Sequence, residues 1–297
     1  MTGTPSAQHL AIEFYRSLES RIEGEQGGVP TFADNTHRHV LGQLIALGPD
    51  RDWDAVLASS SGPAAAEIAA EWRRLAARLD GLAHGRFRSY RERRGEGHDL
   101  GNVRHSEVPD HVMRASQGVE RCLAWNGRPL FKTVFDFAMY PMLIQEMRPG
   151  ALIEIGSGNG ASADFLAHAA EAAALTMPVV SVDIRPPDLV RNGVRYLRGD
   201  ARDLGAVLDD RLLASLPCPW LVIEDAHVAV DAVLAFFDAR LRPGDYLVVE
   251  DSADKTGPIG ALADRRPGRY GVDTRYTDFF GRNATSAVDS VFRVAGP

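Results

Sequence analysis

The sequence predicts an α/β protein in which a doubly wound, mostly parallel sheet with an antiparallel edge hairpin follows an N-terminal helical region. Three observations lead to this prediction. Residues 1–95 read as helical. Beyond Arg148, short apolar runs alternate with helical runs, which is typical of a parallel sheet with helices on both faces. The first of these apolar runs ends in the glycine-rich turn "GSGNG", at the place where such sheets bind ligands.

Three segments with roughly helical spacing account for most of residues 1–95. They read "AQHLAIEFYRSLESRIEG", "THRHVLGQLIALG" and "GPAAAEIAAEWRRLAARLDG". The third has the composition of a helix, with Pro63 near its start and Gly81 just past its end. We find no cluster of catalytic residue types here. We therefore expect residues 1–95 to form a helical unit that supports oligomerisation or covers the substrate site, and residues 96–297 to form the domain that carries the chemistry.

The second region is expected to contain five parallel strands. They are predicted at 151–156, 179–184, 194–200, 219–225 and 246–251, with helices at 161–174, 201–213 and 229–241 between them. A further helix, "FKTVFDFAMYPMLIQEMRPG", precedes the first strand, and Pro141 is expected to kink or break it. The tail after residue 273 holds two possible β segments, which would close the sheet as the antiparallel edge hairpin.

Composition excludes several classes of protein. A net charge of −7 argues against a nucleic-acid binder, and the basic run "GRFRSYRERRG" is most often a solvated face. Cys122 and Cys218 lie in unrelated segments, so neither a disulfide framework nor a thiolate metal site is expected. The first residues lack the pattern of a signal peptide, and no apolar stretch is long enough to span a bilayer. We expect a cytoplasmic protein without nucleic-acid or membrane partners.

The glycine-rich turn indicates a cofactor site. Gly156, Gly158 and Gly160 would let the backbone turn sharply and approach a ligand without collisions of Cβ atoms. Their G-x-G-x-G spacing differs from the G-x-G-x-x-G of dinucleotide-binding proteins. This difference favours S-adenosylmethionine, which has no pyrophosphate to cradle. Ser157 and Ser162 belong to the same predicted cofactor-binding set. The alternative is a turn that only joins a strand to a helix.

Three acids extend this cofactor site. Asp183 ends the second predicted strand, where a carboxylate can accept hydrogen bonds from two ribose hydroxyls. Asp200 follows the third strand and could approach the adenine amino group. Asp183 and Asp200 could instead be turn or cap residues. Glu154 lies inside the first strand, where an unpaired carboxylate is costly to bury, so we expect it near the charged amino group of the cofactor.

A second group of acids indicates a metal site. Asp225 ends the fourth strand, and Glu250 and Asp251 end the fifth. Neighbouring parallel strands finish at the same sheet edge, so these carboxylates could converge, and their repulsion would call for a cation such as Mg²⁺ or Ca²⁺. The alternative is that some of them cap helices. His227, two residues beyond Asp225, is a candidate general base.

The chain also resembles the cephalosporin hydroxylase/rhamnosyl O-methyltransferase family of antibiotic tailoring enzymes, over roughly residues 125–297. The similarity lies in "RPLFKTVFDFAMYPMLIQEMRPGALIEIGSGNGASADFLA", "LVIEDAHVAVDAVLAFFDARLRPGDYLVVEDS" and "GRNATSAVDSVFR". The resemblance implies a class I methyltransferase (Rossmann-like) fold, S-adenosylmethionine, and Mg²⁺ held by Asp225, Glu250 and Asp251. It also implies an acceptor hydroxyl on a sugar or another natural-product scaffold, and a homo-oligomer.

These inferences predict a Mg²⁺-dependent O-methyltransferase. The acceptor hydroxyl must lose its proton and lie in line with the methyl group of the cofactor. His227, or a carboxylate of the metal set such as Asp225, would take the proton. Two alternatives stay open. The chain could be a cofactor-binding subunit that assists another tailoring step such as hydroxylation, or it could be a non-catalytic scaffold.

Overall fold

The computed structural model describes residues 6–24, 32–96, 104–118 and 123–296. The chain divides into two compact units, Met1–Arg86 and Phe87–Pro297. No helix among the described residues is both long and apolar enough to cross a membrane.

The described part of unit 1 contains four helices around an apolar core of its own. They are α1 (Ala7–Gly24), α2 (Phe32–Leu47), α3 (Trp53–Ser59) and α4 (Pro63–His84). The sequence predicted all of them except α3. This short helix begins where Asp52 accepts a hydrogen bond from the backbone of Ala55, and Trp53 anchors it in the core. The ring of Trp53 packs edge-to-face on that of Trp72, with centroids 4.9 Å apart.

Unit 2 is built on a mixed sheet. Its strands are β1 (Phe87–Ser89), β4 (Ala151–Ile155), β5 (Val179–Asp183), β6 (Val194–Arg198), β7 (Trp220–Glu224), β8 (Tyr246–Val249), β9 (Tyr270–Asp273) and β10 (Val291–Val294), and a separate hairpin pairs β2 (Ala124–Trp125) with β3 (Arg128–Pro129). The strand order in the main sheet is β1-β9-β10-β8-β7-β4-β5-β6. The run from β8 to β6 is parallel, whereas β10, β9 and β1 pair antiparallel at one side. The predicted fold class is confirmed.

The helices of unit 2 lie between and before these strands. They are α5 (Tyr90–Glu96), α6 (Asp110–Ser116), α7 (Val134–Met147), α8 (Ala161–Ala172), α9 (Asp210–Ala214), α10 (Val230–Asp238), α11 (Thr256–Arg265) and α12 (Thr274–Thr277). The helix expected at 201–213 is only a 3₁₀ turn at Leu204–Ala206 followed by the short α9. A kink or a break was predicted at Pro141; the break does not occur, because α7 continues through Pro141 and buries Tyr140 and Leu143 on either side.

Both faces of the sheet are covered. Ile153 and Ile155 of β4 pack in one core cluster with α10 and α11, and Leu152, which points to the other face, packs with α7 and α8. All five residues of β4 are buried, as expected for a strand in the middle of a parallel sheet. The chain order reverses between β4 and β7, so the carboxyl ends of these two strands flank the crevice where such folds bind ligands.

The division between the units lies nearer the N-terminus than the predicted one at residue 95. Strand β1 pairs with β9, so residues 87–89 belong to the sheet. Arg93 of α5 is buried and bridges Asp278 and Asp289, with N–O distances of 2.8 Å to each. The basic run that contains it is therefore not wholly a solvated face, since its most buried arginine completes unit 2.

Candidate active site

The glycine-rich turn follows β4 and begins with Gly156, which no other residue can replace unless the neighbouring backbone moves. Gly156 has φ +110°, and a Cβ atom there would lie 2.5 Å from the carbonyl oxygen of Asp225. The first glycine thus lets the end of β4 pack closely against the backbone after β7. It brings the predicted cofactor loop beside the predicted metal site.

The other two glycines of the turn have different surroundings. Gly158 has φ +48° and faces open space in the main cavity, so a side chain there would enter the volume available to a ligand. Gly160 has φ +80°, and a Cβ atom would lie 2.7 Å from Leu189 and 2.9 Å from Pro187. Gly160 therefore does not line the cavity, contrary to its predicted cofactor contact. It lets the start of α8 pack against the loop after β5.

Asp183 and Asp200 both line the cavity, as their predicted roles require. Asp183 accepts hydrogen bonds from the backbone nitrogens of Gly158 (3.0 Å) and Arg185 (2.8 Å), which fix its carboxylate at the end of β5. Asp200 accepts from the backbone nitrogen of Arg202 at 2.9 Å. Each carboxylate is held by backbone groups and still faces the cavity, so both are oriented for a ligand.

A buried polar cluster lies beneath the turn. Ser181 Oγ donates to Glu154 Oε2 at 2.5 Å and lies 2.6 Å from Ser157 Oγ. Glu154 is fully buried and does not itself line the cavity, although Ser157 and Ser162 do. Within the described residues, Glu154 Oε1 and Ser162 Oγ have no hydrogen-bond partner. Burial raises the pKa of Glu154 above its usual value.

Three predicted site residues come together after β7 and β8. Ligand atoms of Asp225, His227 and Asp251 all lie within 4.8 Å of one another. His227 Nε2 is 3.3 Å from Asp225 Oδ1 and 3.5 Å from Asp251 Oδ2. His227 and Asp251 adopt left-handed backbone conformations, with φ of 57° and 44°. Non-glycine residues with such φ values are uncommon and cluster at functional sites.

The structure does not place Glu250 in this group. Its side chain turns into the interior, where Lys132 Nζ donates to Oε2 at 2.5 Å and the Tyr140 hydroxyl donates to Oε1. The three predicted ligands Asp225, Glu250 and Asp251 are not brought together here; the ligand atoms that lie within 4.8 Å of one another belong to Asp225, His227 and Asp251. The physical reason is that Lys132 and Tyr140, both fully buried, use the two oxygens of Glu250.

The acids at these strand ends are compensated by the protein itself. Besides Glu250, Lys132 Nζ contacts Asp225 Oδ2 at 2.9 Å, and Lys255 Nζ contacts Glu224 Oε2 at 2.8 Å. The mutual repulsion of these acids was expected to require a metal ion. Two lysine ammonium groups provide part of that compensation.

Electrostatics sets the charge states around His227. Burial alone would raise the pKa of Asp225, but Lys132 and the hydrogen bond from His227 outweigh it and hold this pKa well below its usual range. The hydrogen bond to Asp225 raises the pKa of His227. Burial and the charge of Asp225 raise the pKa of Asp251. The pKa of Lys132 lies well above its usual value because Asp225 and Glu250 outweigh the effect of burial. Asp225 is thus an ionised partner for an imidazole that can carry a proton.

One cavity of about 330 Å³ joins the two halves of the site. The cofactor side includes Gly156, Ser157, Gly158, Ser162, Asp183 and Asp200, and the other side includes Asp225, His227 and Asp251. Phe131 and Val228, which sequence reasoning missed, line it with side chains that are 58% and 45% exposed. The arrangement offers a ligand both hydrogen-bonding carboxylates and apolar surface.

Lys132 was also missed, although composition carried a signal for it. The chain has 33 basic Lys and Arg residues, and only Lys132 and Lys255 are lysines. Both lysines are buried, and each contacts a carboxylate at the end of a strand: Lys132 contacts Glu250, and Lys255 contacts Glu224. With such a bias towards arginine, an isolated lysine marks a position where a compact ammonium is required.

Comparison with known proteins gives the family. The family model described as Rhamnosyl O-methyltransferase/CmcI matches residues 117–274, more than half of the 297 residues. The chain belongs to the rhamnosyl O-methyltransferase/CmcI family. The family expected from the sequence is thus confirmed, and the match includes both the glycine-rich turn and the cluster around His227.

Two curated relatives are similar over part of the chain. A rhamnosyl O-methyltransferase of Mycobacterium leprae (strain TN) is 32% identical over 143 residues, which cover 46% of this chain and 62% of that protein. One of Mycobacterium tuberculosis (strain ATCC 25618 / H37Rv) is 30% identical over 160 residues, covering 50% and 64%. The chain therefore matches less than two thirds of the length of either relative.

A solved structure described as "cmcI-D160 Mg-SAM" is similar in fold. Its TM-score is 0.50, its sequence identity is 22%, and the match covers 58% of this chain and 76% of that one. At this level of identity the similarity supports the class I methyltransferase fold that the sequence predicted.

Proposed function

We propose that this chain transfers a methyl group from S-adenosylmethionine to a hydroxyl of a sugar or a related natural-product scaffold. The observation that carries the proposal is the single cavity shared by the glycine-rich turn and the cluster of Asp225, His227 and Asp251. A methyl transferase needs a cofactor site and a proton acceptor within reach of one another. The names of the relatives, rhamnosyl O-methyltransferases, support a rhamnosyl hydroxyl as the acceptor.

The cofactor would lie against the turn after β4. Asp183 would accept hydrogen bonds from the ribose hydroxyls, and Asp200 would face the adenine. Gly158 leaves open space beside the backbone for the ligand. Ser162 lines the cavity and offers it a polar side chain next to the buried Glu154. Glu154 does not line the cavity, so its predicted role near the amino group of the cofactor would be indirect.

His227 would take the proton of the acceptor hydroxyl. Its Nε2 lies 3.3 Å from Asp225 Oδ1, and an ionised carboxylate at that distance orients the ring and stabilises the protonated imidazole. The acceptor oxygen would then attack the methyl carbon as the bond from that carbon to sulfur breaks. S-adenosylmethionine would supply the methyl group and leave as a neutral thioether, and His227 would hold the proton and with it the positive charge.

The same residues fit a divalent cation, and we propose Mg²⁺ as the family resemblance implies. Asp225, His227 and Asp251 offer two carboxylates and an imidazole within 4.8 Å. This set suits Mg²⁺ less well than three carboxylates would, because Mg²⁺ prefers oxygen ligands; its two carboxylates suit Mn²⁺ as well. Bound there, the ion would lower the pKa of an acceptor hydroxyl and orient it. If His227 holds the ion, Asp225 is the alternative proton acceptor.

A labelled-methyl assay tests the proposal. The full chain is incubated with ¹³C-methyl S-adenosylmethionine and a panel of rhamnosides, after chelation and again with added Mg²⁺. We expect a labelled methyl ether on one ring hydroxyl, with turnover reduced by chelation and restored by Mg²⁺. Full turnover after exhaustive chelation would remove the metal from the proposal and leave methyl transfer. Tight cofactor binding without transfer to any acceptor would instead favour a subunit that assists another tailoring step.

A further inference from the structure

The side chain of Lys132 occupies the position between two acids that a metal ion was expected to share. Its ammonium lies 2.9 Å from Asp225 Oδ2 and 2.5 Å from Glu250 Oε2, and none of the side chain is exposed. Tyr140 holds the other oxygen of Glu250. Glu250 is thus fully engaged by the protein, and Asp225 keeps only Oδ1 for the cavity side.

The orientation of Asp225 follows from this contact. With Oδ2 held by Lys132, Oδ1 is the oxygen that lies beside His227 Nε2, at 3.3 Å. The three residues form a chain from a buried cation through a carboxylate to the imidazole. Such a chain fixes the imidazole by way of a third group, as in other sites where a base is oriented by its neighbour.

We propose that Lys132 is a positioning residue and the resident cation of this site. It neutralises the inner part of the acid cluster, turns Asp225 towards His227, and limits the affinity of the cluster for a divalent ion. Its effect on methyl transfer rests on the proposed function, but its effect on metal affinity does not. The chain has 31 arginines and only two lysines, so a lysine in this fully buried position indicates that a compact ammonium is needed there rather than a guanidinium.

The test is the affinity of the full chain for Mn²⁺, measured by calorimetry without cofactor or acceptor. Lys132→Met removes the ammonium that Asp225 and Glu250 share. We expect Mn²⁺ to bind about tenfold more tightly, because a positive charge close to the ion has been lost. General damage to the site would weaken binding instead. The affinity for S-adenosylmethionine should not change, since Lys132 does not line the cavity.

Lys255→Met is the matched control. It removes the other buried lysine, which contacts Glu224 and not Asp225 or Asp251, although its charge also acts on His227. We expect a clearly smaller change in Mn²⁺ affinity. The proposal would be overturned if Lys255→Met bound Mn²⁺ as tightly as Lys132→Met does. It would also be overturned if Lys132→Met bound Mn²⁺ no more tightly than the wild type, or if neither the wild type nor Lys132→Met bound Mn²⁺.

A second pair of variants covers the case in which Lys132→Met does not fold. Glu250→Gln keeps an acceptor for Tyr140 and removes the acid that Lys132 contacts most closely. When Lys132→Met is added to it, Asp225 is the one acid that loses the ammonium, and it keeps its contact with His227. The double variant should bind Mn²⁺ more tightly than Glu250→Gln alone, and equal affinities would contradict the role of Lys132. We also expect the double variant to transfer the methyl group more slowly, with an unchanged KM for the cofactor.

Discussion

Gly156 and Gly158 are two residues apart and have different tasks. A Cβ atom at Gly156 would lie 2.5 Å from the backbone of Asp225, whereas one at Gly158 meets nothing within 4 Å. We expect Gly156→Ala to lower the free energy of unfolding by about 3 kcal/mol, because both strain and overlap must be relieved. Gly158→Ala should cost about 1 kcal/mol, from its left-handed φ alone. Denaturant unfolding of both variants measures the difference, and equal losses would refute it.

The larger substitution Gly158→Val separates binding from folding. Its side chain would enter the cavity, so the variant should fold and fail to bind S-adenosylmethionine. Calorimetric titration of the folded variant checks this. Undiminished affinity would mean that the cofactor does not approach the turn at Gly158.

Asp183 is expected to act on the ribose. Its carboxylate accepts hydrogen bonds from the backbone nitrogens of Gly158 and Arg185, so replacing it removes the ribose acceptor together with these two contacts. We expect Asp183→Ala to weaken S-adenosylmethionine binding by about 1–3 kcal/mol. Asp188→Ala is the control, since Asp188 lies on the following loop, exposed and outside the cavity. An unchanged dissociation constant for Asp183→Ala would exclude the ribose role.

At the scale of elements, Asp164 ties α8 to the segments around it. Its buried carboxylate accepts hydrogen bonds from Asn126 (2.8 Å), Arg128 (2.7 Å) and Arg191 (2.8 Å). Burial alone would raise its pKa, but the hydrogen bonds from Asn126 and Arg191 and the nearby positive charges outweigh burial and lower it. A lowered pKa means that the ionised form stabilises the fold above the unfolded-state pKa, near 4, and that this stability is lost as the pH falls through the folded-state value.

Asp164→Asn should therefore lower the free energy of unfolding by about 1–3 kcal/mol at pH 7. The difference from the wild type should shrink below about pH 4, where the wild-type carboxyl also becomes neutral. Glu171→Gln on the same helix is the control, because Glu171 meets Arg191 at the surface and should contribute less than about 1 kcal/mol. A loss that is the same at pH 3 and pH 7 would show that ionisation of Asp164 is not involved.

The parallel strands could be predicted because the pattern that indicates a strand lies within a few neighbouring residues. Each parallel strand was predicted to within two residues at either end, since a buried strand is a short apolar run that ends at a turn. The orientation of Glu250 was not, because Lys132 lies 118 residues away and no periodicity connects them. The left-handed backbone at His227 was not predicted either, because histidine, although enriched at positive φ, adopts it in only a small fraction of cases.

At the scale of the whole molecule, the two units have separate cores. Unit 1 has its own apolar cluster, and the cavity and both halves of the site lie in unit 2. We expect a chain that starts at Phe87 to fold and to bind S-adenosylmethionine with unchanged affinity. Light scattering and substrate affinity of the same protein test the proposed role of the helical unit in oligomerisation or in covering the substrate site. An unchanged oligomeric state together with full turnover would exclude both roles.

A shorter chain tests where the boundary lies. Removing residues 1–95 also removes β1, Tyr90 and Arg93, and leaves Asp289 buried without its arginine. Because a buried ion pair that loses one partner costs about 3–5 kcal/mol, this chain should be much less stable than the one that starts at Phe87. Equal stability of the two proteins would show that residues 87–95 are dispensable to the sheet.

The most direct test of the central claim is the initial rate of methyl transfer by Asp225→Asn, measured with the affinity for S-adenosylmethionine. Asp225 touches both His227 and Lys132, so the substitution disturbs the proton acceptor and the proposed metal site together. We predict a fall in rate of about 10²–10⁴, the usual contribution of a positioned general base, with the cofactor affinity unchanged. A normal rate in a folded Asp225→Asn protein would contradict the assignment of this cluster as the site of reaction.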